Sequence, residues 1–191
     1  VSTEATYSFT VTGNRDLVAN FANGDINNLV FNGDFELGNT GFGTDYIYGN
    51  TGSYNYYYVG HDIAEMWYWD SPGYIVGDHT SGEGLFMMVD GALEDNTTAW
   101  SQTVAVMPNT DYVLSAWFLT NNIGYLRFEI NGVSGSDFTT PESSWVWEQQ
   151  SMTWNSGNST EATIKIINRF AESGGYDWCV DDIYFGPINS G

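Results

Sequence analysis

Val180-Asp181-Asp182-Ile183-Tyr184-Phe185, close to the end of the chain, sets two carboxylates inside alternating, aromatic-rich sequence of strand type. Residues that alternate in this way face opposite sides of a strand, so buried or half-buried acid is expected there. Asn32-Gly33-Asp34-Phe35-Glu36 gives the same reading near the start, so acid brackets most of the chain. The simplest way to stabilise several carboxylates in one place is a bound Ca²⁺, which takes about six to eight oxygens. Such an ion would clip the two ends of one domain together.

Between these segments the pattern is strand, turn, strand. Apolar stretches fall at residues 29–31, 85–89, 100–106, 112–119, 125–130, 145–154, 162–167 and 178–185, separated by Gly, Asn, Ser and Pro. No stretch holds a helical period over three turns, which indicates an antiparallel β-sandwich. Residues 39–80 differ, being rich in Gly, Tyr and Asn with weak alternation, and they read as a functional loop region or as one carrying short strands of its own. Ahead of the main domain, Thr6-Tyr7-Ser8-Phe9-Thr10-Val11-Thr12, the turn Gly13-Asn14, and Leu17-Val18-Ala19-Asn20-Phe21 read as a hairpin. A hairpin cannot bury a core alone. Residues 1–25 are therefore expected to end a preceding module or form a linker hairpin, and residues 26–191 to form the main domain.

The 191 residues are 42% hydrophobic and 17% aromatic, which suffices for one real core and argues against disorder. Aspartate and glutamate number 24 against four basic residues, Arg15, Arg127, Lys165 and Arg169, for a formal charge of −20. Without a basic patch such a surface repels nucleic acid, anionic lipid and anionic polysaccharide, and favours a neutral ligand or a cation. The same charge also serves solubility in an exported protein. Cys179 stands alone, which excludes an intrachain disulfide and reads as a small buried hydrophobe. No run of about 18 apolar residues is present and no basic n-region with an apolar h-region stands at residues 1–25, so neither a membrane span nor an export signal is expected within this stretch. The abrupt beginning at Val1 reads as a piece of something larger.

Nine pieces then line up: Asn32-Gly33-Asp34-Phe35-Glu36, Gly38-Asn39-Thr40-Gly41-Phe42, Gly77-Asp78-His79-Thr80-Ser81-Gly82, Met87-Met88-Val89-Asp90-Gly91, Trp100-Ser101-Gln102-Thr103-Val104, Pro108-Asn109-Thr110, Ile130-Asn131-Gly132-Val133, Trp154-Asn155-Ser156-Gly157 and the stretch 177–185. In this order and spacing, over residues 27–186, they resemble the galactose-binding-like β-jelly-roll modules of secreted bacterial proteins. Many carbohydrate-binding modules of xylanases and glucanases belong to that superfamily. Residues 7–21 resemble the closing strands of the β-repeats of bacterial surface proteins, including those of internalin type. The first resemblance implies an all-β antiparallel sandwich of jelly-roll topology, located outside the cell. It also implies a structural calcium where the first strand, a loop and the last strand meet. Glu36 would give a side-chain oxygen, Asp34 a backbone carbonyl and Asp181 a carboxylate, and the loop at 78–81, with Asp78 and Ser81, would give the rest.

Sugar recognition needs flat aromatic faces for the C–H face of a pyranose and polar groups for its hydroxyls. Trp67 and Trp69, two apart in the long loop region, share one face if that segment is extended. Tyr125, Arg127 and Glu129 alternate with Leu126, Phe128 and Ile130, so with the aliphatic set inward the polar set lines the outer face of a sheet. The bland reading of that set is a partnered Arg–Glu pair on a solvated sheet. Trp145, at the start of its strand, is a further candidate platform, whereas Trp100, Trp117, Trp147, Trp154 and Trp178 within strands read as packing. Two histidines, one cysteine and no nucleophile elbow, zinc-protease or phosphate-loop motif offer little for catalysis.

The sequence therefore reads as a non-catalytic module, stabilised by calcium, that binds neutral polysaccharide of xylan, β-glucan or mannan type and targets a larger secreted enzyme or surface protein. The alternatives are a structural or adhesive spacer with its aromatics merely packing, and a small polysaccharide-active enzyme whose paired acids are visible only in space.

Overall fold

Strands whose side chains alternate between apolar and polar can bury one face only by stacking on another sheet, and this chain does so. The computed structural model describes residues 27–67, 75–120, 123–141, 145–171 and 177–188. Its strands are β1 (Ile47–Tyr48), β2 (Tyr56–Gly60), β3 (Phe86–Val89), β4 (Thr97–Ala105), β5 (Asp111–Thr120), β6 (Tyr125–Ile130), β7 (Val133–Thr139), β8 (Glu148–Asn155), β9 (Glu161–Asn168) and β10 (Trp178–Pro187). A six-stranded sheet runs β1-β2-β3-β10-β5-β8 and a four-stranded sheet runs β4-β9-β6-β7. Apart from the parallel pair β1–β2, neighbouring strands are antiparallel. The architecture is the jelly-roll sandwich expected.

The inward faces interlock through rings and branched chains. From the smaller sheet come Leu126, Phe128, Ile130, Ala162, Ile164 and Ile166, and from the larger Leu114, Ala116, Phe118, Trp178 and Val180. The Phe118 ring joins the layers, its centroid 6.0 Å from that of Phe128, 5.3 Å from Phe138 and 5.9 Å from Trp178. A second core lies on the opposite face of the six-stranded sheet, where Ile63, Met66, Trp67 and Val76 cover Phe86, Met88, Leu119 and Cys179. A 3-10 turn, Ile63–Glu65, shapes this cover; the Asp62 side chain accepts from Ala64 N and the Glu65 side chain accepts from Asp62 N. Part of the segment read as displayed loop thus folds back over a sheet.

Two local expectations change. Residues 29–31 and Asn32-Gly33-Asp34-Phe35-Glu36 form no strand. Asn32 and Phe35 adopt left-handed φ of 56° and 55°. The Asn32 side chain accepts from Leu37 N and donates to the carbonyls of Gly38 and Thr40, which gathers the segment into a compact turn with Phe35 buried at its centre. Its link to the last strand survives: Ile183 N donates to Gly33 O at 2.8 Å, and Leu29 N donates to Phe185 O at 2.8 Å. Position 33 must be glycine, because a Cβ there would lie 2.2 Å from the Ile183 carbonyl oxygen.

The hairpin read at residues 7–21, and with it the division at residue 25, lies outside the described residues. Among the described residues no helix is long and apolar enough to cross a membrane.

Candidate functional site

The outer face of the four-stranded sheet follows from the same alternation that fills the core. With Leu126, Phe128 and Ile130 buried, Tyr125, Arg127 and Glu129 turn outward on β6, as expected from their spacing. Register sets Lys165 of β9 and Ser134 of β7 beside Glu129, and Ile167 and Asp137 beside Arg127. On β4 and β9, Ser101 lies opposite Lys165 and Thr103 opposite Thr163. The Thr103 and Thr163 hydroxyls are 2.9 Å apart.

This face is polar, aromatic-rimmed and open at one side into a cleft. Tyr125, 37% exposed, meets Phe170, 42% exposed, edge to face at 5.5 Å. The Arg169 guanidinium lies 5.5 Å from the Phe170 ring centre. Beyond β4 a cleft of about 490 Å³ is lined by Gly41, Phe42, Gly43, Ser101, Gln102, Thr103 and Thr163. Gln102 builds its wall: the side-chain amide accepts from Phe31 N at 2.9 Å and donates to the carbonyls of Phe31 and Gly41 at 3.0 and 2.6 Å. Phe42 anchors the rim by stacking on Trp100, centroids 6.5 Å apart.

Charge is concentrated here as well. Three of the four basic residues stand on this face or its rim, Arg15 lying outside the described residues. Lys165 Nζ sits 3.3 Å from Glu129 Oε1, Arg169 Nε donates to Asp137 Oδ1 at 2.8 Å, and Arg127 Nη1 is 3.8 Å from that same oxygen. Arg127 and Glu129 do not pair with each other in this arrangement; each has a partner on a neighbouring strand. Lys165 was legible as an outward residue from its place between Ile164 and Ile166, whereas Asp137 and Phe170 lay in stretches with no period to read.

The other candidate platforms are elsewhere. Trp67 is 2% exposed in the second core, its indole N–H donating to Asp90 Oδ2 at 3.1 Å, and so offers no open face. This corrects its reading as a displayed ring: the apolar surface of the six-stranded sheet needs a cover, and Trp67 supplies it. Trp145, half-buried, packs against that same cluster, on the side of the sandwich away from Tyr125. Trp69 lies outside the described residues. Trp117 and Trp147 are engaged by His79, whose ring stacks on Trp117 at 3.7 Å and meets Trp147 edge-on at 6.2 Å. A smaller aromatic surface remains at the β1–β2 edge, where Tyr48 stacks on Tyr58 at 5.5 Å.

Of the residues expected to hold a metal, Asp181 lies at the β10 bulge, and Glu36 and Asp78 approach each other beside Gly84. Asp181, 1% exposed, accepts from His79 N at 2.9 Å and from Asp182 N at 2.8 Å. Burial first, and the Asp182 charge second, push its carboxyl up to about 9, against the pull of those two N–H groups. Asp182 Oδ2 lies 2.6 Å from His79 Nδ1 and accepts from the Thr80 hydroxyl at 2.5 Å. Asp78 accepts from Ser81 N, Ser81 Oγ and Gly84 N, which together hold its carboxyl below the usual range although burial pulls the other way. Glu36 Oε1 accepts from Leu85 N at 2.7 Å. It also reaches Gly84 so closely that a Cβ there would stand 2.2 Å from that oxygen and 3.0 Å from Asp78 Oδ2. Asp34 is exposed, its side chain turned to Glu36 N at 3.4 Å.

Glu36, Asp78, Asp181 and Asp182 therefore crowd one pole with His79 as their only ion-pair partner among the described residues. In charge and donor type this set fits a hard, oxygen-seeking cation. Among the described residues no three acidic, thiol or imidazole groups are gathered so as to hold an ion by themselves, so main-chain and hydroxyl oxygens must complete any shell.

A second acidic pair is sealed at the other end of the larger sheet. Asp90 and Asp177, both buried, share a hydrogen bond, and burial raises the Asp90 carboxyl despite the bonds from Trp67 and Asp177. A carboxyl raised in the folded state binds its proton more tightly there than in the unfolded chain. The stability it contributes is therefore present at low pH and lost as pH rises through the folded value. Asp90→Asn keeps the acceptor for Trp67 and removes the charge. The variant is expected to melt above the wild type at neutral pH, with the gap closing as pH falls toward the ordinary carboxylate range. Melting curves across pH check this; a gap that stays constant contradicts it.

His61 and Cys179 complete the chemistry-bearing residues. His61 Nδ1 bonds to the carbonyls of Glu83 and Gly84 at 3.2 and 3.1 Å. Cys179 is fully buried, its thiol pushed well up by burial first and then by the Asp177 and Asp181 charges, and so stays an inert hydrophobe.

The sequence matches no protein-family model and no curated protein sequence. Among solved structures the chain is similar to a family 61 carbohydrate-binding module in complex with β-1,4-galactotriose: 15% identity, 84% of this chain and 99% of that one covered, TM-score 0.51. It is similar to the tandem CBM22-1–CBM22-2 domain of Paenibacillus barcinonensis Xyn10C at 11% identity, covering 89% of this chain and 48% of that one, with a TM-score of 0.54. A third is the α-L-arabinofuranosidase MgGH51 in its arabinose-bound form, at 11% identity, 84% and 26% coverage and a TM-score of 0.54. The chain thus spans about half of the tandem module and about a quarter of the arabinofuranosidase. These similarities establish the jelly-roll sandwich; the likeness of residues 7–21 to internalin-type repeats has no counterpart among them.

Proposed function

We propose that this chain is a non-catalytic carbohydrate-binding module that holds neutral polysaccharide of xylan, β-glucan or mannan type on the outer face of its four-stranded sheet. It would serve a larger secreted or cell-surface bacterial protein by keeping it near that polysaccharide. The observation that carries this reading is the convergence, on one open face beside a cleft, of exposed rings and a dense set of hydroxyl, amide and charged groups that the core does not need. Tyr125 and Phe170 offer apolar surface to the C–H face of a pyranose. Ser101, Thr103, Thr163, Glu129 and Arg127 offer donors and acceptors for its hydroxyls. Each ring that covers roughly 100 Å² of apolar surface contributes about 2.5 kcal/mol before ordering costs, so two give a weak but useful binder. The similar carbohydrate-binding modules, one of them solved with a β-1,4-galactotriose, support the reading by analogy of fold.

Calcium belongs to the same proposal. Glu36 and Asp181 side chains, the Asp34 carbonyl and oxygens of the 78–81 loop, Asp78 and Ser81 included, would hold it. Bound there, it would supply positive charge that ties the opening turn to the last strand. The residues themselves already do part of this work through Leu85 N to Glu36 and His79 N to Asp181.

Affinity electrophoresis in gels that contain soluble xylan, mixed-linkage β-glucan, galactan or mannan tests the binding role. Retardation by at least one is the expected result. Unchanged mobility in every gel overturns it.

A further inference from the structure

Arg127 is under-satisfied where it stands. Its side chain is 20% exposed, its Nε is buried with no hydrogen-bond partner among the described residues, and its carboxylate neighbour is 3.8 Å away. That neighbour, Asp137, is already taken at 2.8 Å by Arg169, whose guanidinium also bonds to Asn96. Lys165 holds Glu129. Among the described residues, the ion pairs of this face set three cations against two carboxylates, on a molecule whose net charge is −20. A part-buried guanidinium left without full partners is costly, and such a group in a native fold requires an explanation.

The neighbours say what would satisfy it. Ile167 flanks Arg127 on β9 and lowers the local dielectric, which strengthens any charge-assisted bond made there. Tyr125 lies two residues along the same strand face, about 7 Å away, and Phe170 stands against it. A ring resting on Tyr125 and Phe170 would bring a substituent within reach of the guanidinium. The planar fork of arginine matches a carboxylate, which it can grip with two parallel N–H···O bonds.

We infer that the site prefers polysaccharide whose neutral backbone bears uronic acid residues, with Arg127 as the group that reads their carboxylate. This rests on the proposed glycan-binding role and narrows it. It also revises the expectation that acidic glycans are excluded: that expectation assumed no basic patch, and the fold gathers one from strands distant in sequence.

The test compares each polysaccharide with its own carboxyl-reduced form, in which the uronate becomes a neutral sugar and the backbone is kept. Glucuronoxylan and an arabinogalactan that bears glucuronic acid, native and reduced, are set in affinity gels at one fixed ionic strength. At least one native form is expected to bind about tenfold more tightly than its reduced form, as for one charge-assisted pair. In Arg127→Gln that ratio falls to near one. In Asp137→Asn, which removes the competing charge, the ratio rises several-fold, an outcome that misfolding cannot mimic. Equal binding of native and reduced forms by the wild type, or a preference that Arg127→Gln retains, overturns the inference while leaving glycan binding intact. Equal retardation by a sulfated galactan overturns the assignment to carboxylate. Binding to no form of any polysaccharide overturns the underlying role.

Discussion

Excess chelator is expected to lower the melting temperature of this protein by about 5–10 °C if the proposed calcium is bound. The magnitude follows from a ligand held at about 100 times its dissociation constant, which adds about 2.7 kcal/mol to the folded state, and from the shift of about 2–4 °C per kcal/mol for a chain of this size. Mg²⁺ in place of Ca²⁺ is expected to restore less, because Mg²⁺ demands tight octahedral geometry and the pole offers acids spread over a turn, a loop and a bulged strand. Asp181→Asn is expected to abolish that response to added Ca²⁺, since the buried carboxylate faces the pole from the last strand with no basic side chain beside it. Differential scanning calorimetry with and without chelator decides the matter. A melt that does not move would leave the crowded acids to their backbone N–H partners and to His79 alone.

Loss of both rings on the β6 face is the second large effect. Tyr125→Ala with Phe170→Ala is expected to weaken binding of any retained glycan by at least tenfold, equivalent to 1.4 kcal/mol or more, and plausible burial on two rings allows several times that. Fold stability should shift by no more than about 0.5 kcal/mol, because exposed residues away from the core carry little of it. Titration calorimetry against the best glycan, alongside a melt, separates the two quantities. Full affinity in the double variant would move the platform to the other open aromatic surface, Tyr48 stacked on Tyr58 at the β1–β2 edge.

The elements whose alternation could be read from the sequence were those buried on one side only. Residues 125–130 and 162–166 alternate because one face meets the opposite sheet, and β6 and β9 formed there; residues 112–119 read as a strand from a continuous apolar run, since β5 is covered on both faces. β7 escaped notice because Val133-Ser134-Gly135-Ser136-Asp137-Phe138-Thr139 is an edge strand with one inward ring and otherwise half-exposed or exposed residues. β2 was hidden for the opposite reason: Tyr57 and Val59 enter the main core while Tyr56 and Tyr58 pack against the second, so neither face is polar. Trp67 was misread on the same ground, since nothing local announces that a loop will cover a sheet.

Local spacing alone settled the sandwich, the inward and outward sides of β6, and the presence of acid at both ends, because a period of two is a property of the strand itself. Partnership could not be settled that way. Which carboxylate meets which cation, which rings stay uncovered, and whether basic residues scattered from 127 to 169 form a patch depend on register between strands far apart in the chain. Register is fixed by how two whole sheets pack, so only the folded molecule decides it.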